Sequence, residues 1–299
     1  MKIYYSGDKI ESTLPAVALG NFDGMHIGHT AIFENAKKCG ESFGTLLFET
    51  HTSAMTGTGV EVITTLDEKL EILSGLGADF AYIVSFDRAF MNMDCSEFAA
   101  FLAKTGAKTV SVGYDYRCGR GAAYDVKDLE DGLSVYGIKM VVAPPVRYNG
   151  EPVKSSRIRE LLKNGDITGA NLLMSKPYSI SGIVVDGLKN GRRMGFPTAN
   201  IECDTSKLLP KDGVYCGGCT VDGTDFPAVI NIGKNPTFRA KNRTVEVHII
   251  SYDGDLYGRR LAVQLTERIR GDMRFESIDA LSEQISRDRE YAVERSKIR

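Results

Sequence analysis

The pattern of apolar and polar positions changes once along the chain. In the first half, short apolar runs without polar alternation are separated by amphipathic stretches. Such uninterrupted runs are typical of parallel strands that are covered on both faces. The predicted strands of this half are residues 16–19, 45–48, 80–86, 109–112 and 139–143.

The amphipathic stretches between these runs predict helices. Thr65 and Glu68 form a capping-box pattern before an apolar stripe, which predicts that a helix begins there. A second helix is predicted from Ser96, and a third over residues 156–174 with interruptions near Gly165 and Gly169. Because strand and helix alternate, this half is predicted to be a parallel, doubly wound α/β sheet.

The second pattern begins near Lys176-Pro177, where shorter segments alternate between apolar and polar residues, as antiparallel strands do. Asp222-Gly223 and Asp253-Gly254 are predicted hairpin turns. An amphipathic helix is predicted over 277–295, with Ile278, Leu281 and Ile285 on its apolar side. We therefore predict an antiparallel barrel or sandwich closed by a C-terminal helix. The predicted domains are 1–176 and 177–299. The predicted strands of the second are 178–185, 214–221, 228–232, 244–251 and 261–267.

Composition narrows the class of protein. The length of 299 residues favours two domains. With 37 basic and 39 acidic side chains the net charge is −2, which gives no overall electrostatic attraction for nucleic acid. No apolar run approaches the roughly 20 residues of a membrane span, and the first residues do not resemble a signal peptide, so we expect no membrane partner and a cytoplasmic location. Cys216 and Cys219 have the spacing of a metal or redox pair, but we interpret them as strand residues because no second ligand pair is evident.

Two histidines follow the first predicted strand of the α/β half. Gly20 ends the strand, and His26 and His29 lie where a helix is predicted to begin at about Gly28. Ligands of open α/β sheets bind at the carboxyl ends of strands, and helix N-termini attract anions, so this segment favours a phosphate site. Gly28 would leave room for a nucleotide to approach the backbone. The alternative is that the histidines cap the helix or bind a metal.

The segment Asn21-Phe-Asp-Gly-Met-His-Ile-Gly-His29 resembles the signature of the nucleotidyltransferase superfamily, and most closely its FMN adenylyltransferase branch. Three further segments resemble that branch in the same order: 66–70, 113–119 and 153–159. The resemblance implies attack of the FMN phosphate on the α-phosphorus of ATP, with His26 and His29 stabilising the developing charge. The further ATP contacts that it implies are Gly20, Asn21, Phe22, Asp23 and Gly28, with Ser155, Ser156, Arg157 and Arg159 in a second phosphate-binding motif.

Other residues of this half are assigned with open alternatives. Asp115 and Arg117 follow the fourth predicted strand, where they would hold flavin or nucleotide, or form a salt bridge within the loop. The chain departs from the family at residues 48–52, where a Pro-rich turn is usual and His51 alone keeps the pattern. A weakened flavin site is therefore one expectation. Lys154 replaces a residue that is commonly serine and adds a charge that would reach phosphate.

The second half contains a glycine-rich turn that leads into Pro197-Thr-Ala-Asn200. With the segments 210–215, 231–238 and 244–248 it resembles the riboflavin kinase module. The resemblance implies that Thr198 and Asn200 bind Mg²⁺, that Glu246 is the catalytic base, and that Arg270 and Phe275 lie beside the flavin. Strand alternation alone explains Glu246 equally well as a residue on a solvated face. The ATP contacts implied for this half are Gly187, Gly191, Arg192, Gly195, Pro197, Thr198 and Asn200.

Taken together, the motifs resemble the bifunctional riboflavin kinase/FMN adenylyltransferase family, the bacterial FAD synthetases. The family implies a Rossmann-like nucleotidyltransferase domain, then a β-barrel kinase domain with a C-terminal helix. The implied ligands are riboflavin, FMN, FAD, ATP and Mg²⁺. Two alternatives stay open: a kinase with an impaired transferase, and a flavin- or nucleotide-sensing protein without turnover. The sequence leaves the oligomeric state open.

Overall fold

The computed structural model describes residues 1–8, 15–40, 42–49, 60–187, 195–234 and 243–296. The chain divides into two units, Met1–Ser155 and Ser156–Arg299. The predicted boundary near Lys176-Pro177 lies downstream of this division, and it remains a proposal for where the two functional domains meet. Within the described ranges, no helix combines the length and the apolar character that a membrane span requires.

The first unit is built on a six-stranded parallel sheet with the strand order β1-β4-β3-β2-β5-β6. A short antiparallel ribbon of two strands follows the sheet along the chain. The strands of this unit are β1 Lys2–Tyr5, β2 Ala16–Leu19, β3 Phe43–Phe48, β4 Phe80–Val84, β5 Thr109–Gly113, β6 Lys139–Ala143, β7 Arg147–Tyr148 and β8 Glu151–Pro152.

Helices cover both faces of this sheet. One apolar cluster contains Phe33 and Leu73 from two of the helices, and the cluster on the other side of the strands contains Phe98 and Leu129 from two others. The prediction of strands buried on both faces is confirmed for β2 and β4, whose residues are all buried, but not for β6, an edge strand in which only Ala143 is buried. The helices are α1 Ile27–Cys39, α2 Leu66–Gly75, α3 Arg88–Met91, α4 Cys95–Lys104 and α5 Val126–Ser134.

The predicted helices begin within one residue of their expected first positions. Thr65 caps α2 through the predicted capping box with Glu68. The helix predicted from Ser96 begins at Cys95, because the Asp94 carboxylate accepts from the backbone N–H of Glu97 and so acts as the N-cap. The helix predicted over 156–174 is two helices, α6 Ser155–Asn164 and α7 Ile167–Leu173. Gly165 separates them with a φ of 82°.

The strand order locates the ligand crevice of the first unit. From β2 the chain builds the sheet in one direction through β3 and β4, and it then continues on the other side of β2 with β5 and β6. The carboxyl ends of β2 and β5 therefore flank the point where the order reverses, which is where open α/β sheets bind ligands. The β2 end leads into the two histidines, and the β5 end leads into Asp115.

The second unit is a closed antiparallel barrel with the order β10-β13-β12-β11-β14-β9, followed by a C-terminal helix. Asp222 and Gly223, with φ of 49° and 80°, form the tight turn between β11 and β12 and confirm that hairpin. The elements are β9 Ser179–Val185, β10 Ala199–Cys203, β11 Gly213–Val221, β12 Thr224–Lys234, β13 Arg243–Ile249, β14 Arg260–Arg270 and α8 Ile278–Ser296.

Three expectations for the second unit were wrong or incomplete. The strand β10 was not predicted, because its residues follow a glycine-rich segment that was interpreted as a loop. Asp253-Gly254 is not a hairpin turn, because it connects β13 to β14, and β14 pairs with β11 and β9 instead. Ile278 was expected on the apolar side of α8 but is 71% exposed, and the buried residues of that helix are Asp288 and Ala292.

Candidate functional site

The loop between β2 and α1 holds its two histidines against each other. His26 is the N-cap of α1, and its Nδ1 accepts from the backbone N–H of His29 at 3.2 Å. The Nδ1 of His29 accepts in turn from the backbone N–H of His26 at 3.3 Å. The two rings stack with their centroids 3.4 Å apart. The capping alternative is therefore realised in the structure, and it is compatible with a phosphate site because the Nε2 atoms take no part in it.

Both histidines are held in the neutral form. Burial lowers the pKa of His26 to about 4, although the carboxylates of Asp23 and Asp115 oppose the shift. Burial also lowers the pKa of His29 well below its usual value, with smaller contributions from His26 and Lys69. Because each Nδ1 is an acceptor, the ring proton of each neutral histidine is assigned to Nε2. The pair therefore offers two N–H donors rather than two cations.

The remaining residues of this loop are packed rather than exposed. Asp23 is buried, and its Oδ1 accepts from the backbone N–H groups of Ile63 and Thr64. Phe22 is also buried and lies edge-on to His29. A Cβ atom at Gly28 would lie 3.0 Å from Nδ1 of His26, so the space at this glycine is used by the histidine ring.

The first residue of the second predicted phosphate motif contacts the same loop. The Ser155 hydroxyl, in the first residue of α6, donates to the backbone carbonyl of Asp23 at 2.7 Å. Ser156, Arg157 and Arg159 belong to the second unit. Their role as phosphate ligands therefore stays a prediction.

The loop after β5 forms its own polar contacts. Lys154 Nζ lies 3.0 Å from Oδ2 of Asp115, and both side chains are about half exposed. Arg117 donates to the backbone carbonyls of Ala122 and Ala123 within its loop. The salt-bridge alternative is thus present for Asp115, with Lys154 as its partner. The altered segment at 48–52, including His51, lies outside the described residues from position 50 onward.

On the barrel, a carboxylate lies between two asparagines. Glu246 on β13 is paired directly with Asn200 on β10 and with Asn231 on β12. Directly paired residues of neighbouring strands share a face of the sheet. Val245 and Val247 point the other way and are buried in the barrel interior. Thr198 lies two positions before Asn200, immediately before β10 begins.

His248 on β13 contacts the turn that precedes β10. His248 Nδ1 lies 2.8 Å from the carbonyl oxygen of Pro197, and the His248 ring packs edge-on against Phe196. Burial lowers the pKa of His248, which keeps the ring neutral. A Cβ atom at Gly187 would lie 2.0 Å from the amide of Asn200, so only glycine allows that approach. Gly195 has a φ of 83°, whereas Gly191 and Arg192 lie outside the described residues.

A cavity of about 480 Å³ opens beside this turn at one end of the barrel. Its volume lies in the range of small-molecule sites. Apolar side chains from the barrel strands form one wall, and a loop rich in tyrosine and aspartate forms the other. The lining includes Val184, Pro197, Thr198, Ala199, Val247 and Ile249, with residues 252–257 from the loop.

Of the two residues expected beside the flavin, Arg270 is paired with the C-terminal helix. Arg270 donates to both carboxylate oxygens of Asp288, at 2.8 to 3.2 Å, and Asp288 is buried. The Arg270 guanidinium also lies 5.8 Å from the centre of the Phe275 ring. The flavin contact of Arg270 and Phe275 remains a prediction.

Sequence reasoning gave no role to Asn231, although its motif was recognised. The signal would have been strand pairing, since Asn231 becomes a neighbour of Glu246 only once the register of β12 and β13 is known.

Among the described residues, no cluster of three or more histidine, cysteine or acidic side chains has the arrangement of a metal site. Cys216 and Cys219 are free and buried on β11, in agreement with the strand interpretation.

Two family models match the chain, one in each half. The model for FAD synthetase matches residues 9–157, and the model for riboflavin kinase matches residues 174–295. A bifunctional riboflavin kinase/FMN adenylyltransferase of Bacillus subtilis is 33% identical over 95% of this chain and 93% of its own length. The protein of the same description from Escherichia coli is 34% identical over 91% of this chain and 90% of its own.

A solved structure covers both halves. It is described as a macrolide-efflux protein from Streptococcus pneumoniae, and it has a TM-score of 0.85 and 28% sequence identity over 98% of this chain and 99% of its own. That description belongs to the streptococcal protein. The α/β unit and the barrel of the present chain therefore have a solved counterpart of nearly the same length.

Proposed function

Because the chain belongs to the bifunctional riboflavin kinase/FMN adenylyltransferase family, we infer that it makes FAD from riboflavin in two ATP-dependent reactions. Riboflavin and ATP give FMN and ADP in the first, and FMN and ATP give FAD and pyrophosphate in the second. The observation that carries this assignment is that each unit has its own polar site. One is the neutral histidine pair at the carboxyl end of β2, and the other is the carboxylate between two asparagines on the barrel.

We propose that the barrel carries the kinase reaction with Glu246 as general base. The Glu246 carboxylate would accept the proton of the terminal ribityl hydroxyl as that oxygen forms a bond to the γ-phosphorus of ATP, and the bond to the ADP oxygen would break. Asn200 and Asn231, on either side, would hold the carboxylate and the reacting oxygens in one row. The half-buried position of Glu246 supports this role, since a base that is partly shielded from water remains accessible to a substrate.

The residues near Glu246 fit a bound Mg²⁺ ion. Thr198, immediately before β10, offers a hydroxyl, and Asn200 on β10 offers an amide oxygen; such hard oxygen ligands suit this cation. When bound with ATP, the ion would neutralise phosphate charge.

For the first unit we propose that adenylyl transfer depends on positioning and charge neutralisation. An FMN phosphate oxygen would form a bond to the α-phosphorus of ATP while the bond to pyrophosphate breaks, without a covalent enzyme intermediate. The Nε2–H groups of His26 and His29 would donate to phosphate oxygens on which charge develops. The backbone of the loop from Gly20 to Asp23 and the Ser155 hydroxyl would complete the phosphate site of this unit. The family resemblance implies that Ser156, Arg157 and Arg159 also bind phosphate.

The flavin contacts are proposals of the same kind. In the first unit, Asp115 and Arg117 lie at the rim of the crevice and would contact flavin or nucleotide. In the second, Arg270 and Phe275 would border the isoalloxazine ring. A cytoplasmic location also remains a proposal.

One assay tests the assignment. The purified chain is incubated with riboflavin, ATP and Mg²⁺, and FMN and FAD are resolved by chromatography over time. We expect FMN to appear first and FAD to follow. Absence of FMN would refute the kinase assignment, and accumulation of FMN without FAD would refute the transferase assignment in favour of an impaired first unit.

A further inference from the structure

The loop that carries the histidine pair has a strained backbone. Phe22 and Met25 have φ of 46° and 40°, in the left-handed region that non-glycine residues seldom adopt. Such conformations persist only where the surrounding structure enforces them. Both side chains are buried, so packing supplies part of that constraint.

A second part of the constraint comes from the segment that leads into α2. Oδ1 of Asp23 accepts from Ile63 N and Thr64 N at 2.9 and 3.0 Å, respectively. In the opposite direction, Gly24 N donates to the Thr64 hydroxyl at 2.6 Å. These contacts join residues about forty positions apart, and both Asp23 and Thr64 are buried. Removing a partner would leave a buried polar group unsatisfied, which is costly.

Lys69 provides a third contact, from the first turns of α2. Its Nζ donates to the backbone carbonyl of Asn21 at 2.7 Å, at the start of the loop. Lys69 is only 6% exposed, which is unusual for a lysine. Its positive charge also lowers the pKa of His29, in the same direction as burial and the neighbouring His26. Lys69 therefore influences both the position of the loop and the charge of the histidine pair.

We propose that Asp23, Thr64 and Lys69 are positioning residues of the adenylyl-transfer reaction, which hold the strained histidine loop in its active geometry without contacting ATP or FMN. This inference rests on the proposed transferase function of the first unit. It gives the carboxylate of Asp23 a different role from the ATP contact that the family resemblance implies, because that carboxylate is engaged by the backbone before α2.

The principal test is Lys69→Met, which keeps an apolar chain of similar length and removes the ammonium. Small displacements of catalytic groups cost on the order of 100-fold in rate, so we expect kcat for FAD formation from FMN to fall at least about 10-fold. Riboflavin phosphorylation by the same protein should stay within about twofold, because Glu246 belongs to the other unit. Lys38→Met is the matched control, since Lys38 is an exposed lysine on α1, and it should leave both rates unchanged.

A spectroscopic measurement separates positioning from a general loss of structure. The chain has four histidines, so ¹⁵N spectra of the imidazole rings are tractable. In the wild type we expect His26 and His29 to be neutral with the proton on Nε2. In Lys69→Met the pKa of His29 should rise, because a neighbouring positive charge has been removed, while His248 in the barrel should not change.

Thr64 gives a second, independent comparison that covers the case in which Lys69→Met does not fold. Thr64→Val removes the acceptor for Gly24 N with little change in shape, and Thr64→Ser keeps the hydroxyl. We expect Thr64→Val to slow FAD formation and Thr64→Ser to slow it much less. The inference would be overturned if Lys69→Met and Thr64→Val both formed FAD within about twofold of wild type. A wild-type chain that forms no FAD would instead refute the transferase function itself.

Discussion

In the proposed adenylyl transfer, the first unit acts through two histidines whose pKa values are lowered by burial. Their mutual capping uses both Nδ1 atoms as acceptors, and burial opposes protonation. A neutral imidazole with its proton on Nε2 can donate to a phosphate oxygen, and it carries no charge that would bind the ground-state phosphate tightly. The stabilisation can therefore grow as charge develops during transfer, as effective catalysis requires.

The low pKa of His26 predicts a pH-dependent stability. Its folded-state value of about 4 lies below the ordinary 6.5, so the unfolded chain binds the proton more tightly between these values. Its contribution to the free energy of unfolding is therefore lost as the pH falls from about 6.5 to about 4, by up to about 3 kcal/mol. His26→Asn keeps a capping acceptor that does not titrate.

Urea unfolding followed by circular dichroism at pH 7, 6 and 5 measures this effect. We expect the wild type to lose more stability than His26→Asn over that interval. The groups facing His26 that also titrate, Asp23, Asp115 and His29, are present in both proteins. Parallel curves for the two proteins would contradict the prediction.

At the scale of single residues, motif resemblance indicates the candidate site residues but not the contacts that hold them in place. His26, His29 and Glu246 follow from motif resemblance, whereas their partners come from distant segments. The contact of Lys69 with Asn21 spans 48 positions, and the pairing of Asn231 with Glu246 needs the register of two strands. No local pattern encodes either, because both depend on how separate elements pack.

Among the elements, the C-terminal helix α8 is joined to the barrel by an apolar cluster that includes Ala292 and Val229 and also by polar contacts. The Arg270–Asp288 pair is its most buried polar link, with side chains 16% and 2% exposed. Tyr291 also donates to Glu267 on β14, and Gln284 donates to Asp288 within the helix. The apolar stripe that predicted this helix is thus only part of what attaches it, as the exposure of Ile278 illustrates.

Breaking this pair should destabilise the barrel unit. Asp288→Asn would leave the Arg270 guanidinium buried without its counter-charge, a change that typically costs about 3–5 kcal/mol. The matched control is Glu283→Gln, which breaks the exposed ion pair with Arg287 on the same helix. That loss should change stability by no more than about 0.5 kcal/mol. Thermal and urea unfolding of both variants measure the difference, and equal effects would refute the prediction.

The elements themselves were largely predictable, and the errors have identifiable causes. Short apolar runs and capping boxes leave strong local signals, so β2, β6 and the start of α2 were located to the residue. Strand β10 was missed because Pro197 and the preceding glycine suggested a loop. The Asp253-Gly254 error arose because a turn sequence specifies a local bend and not which strands pair afterwards.

For the whole molecule, the central feature is that two chemically different phosphate-transfer sites lie in one chain. The family models end and begin at residues 157 and 174, and the two units divide at Ser155. The helices α6 and α7 lie between these boundaries. Asn171 of α7 bonds to Tyr178 N and to the Leu265 carbonyl. This segment is therefore attached to the barrel unit, a contact that the change of pattern at Lys176-Pro177 did not indicate.

The most direct test of the account is a crossed pair of variants, each assayed for both reactions. We predict that Glu246→Gln abolishes formation of FMN from riboflavin but leaves conversion of FMN to FAD intact, because it removes the proposed base and touches only the barrel site. His29→Ala should abolish conversion of FMN to FAD but leave formation of FMN intact. It removes one of the two N–H donors at the carboxyl end of β2. If either substitution abolished both reactions in a folded protein, the assignment of one reaction to each unit would be wrong.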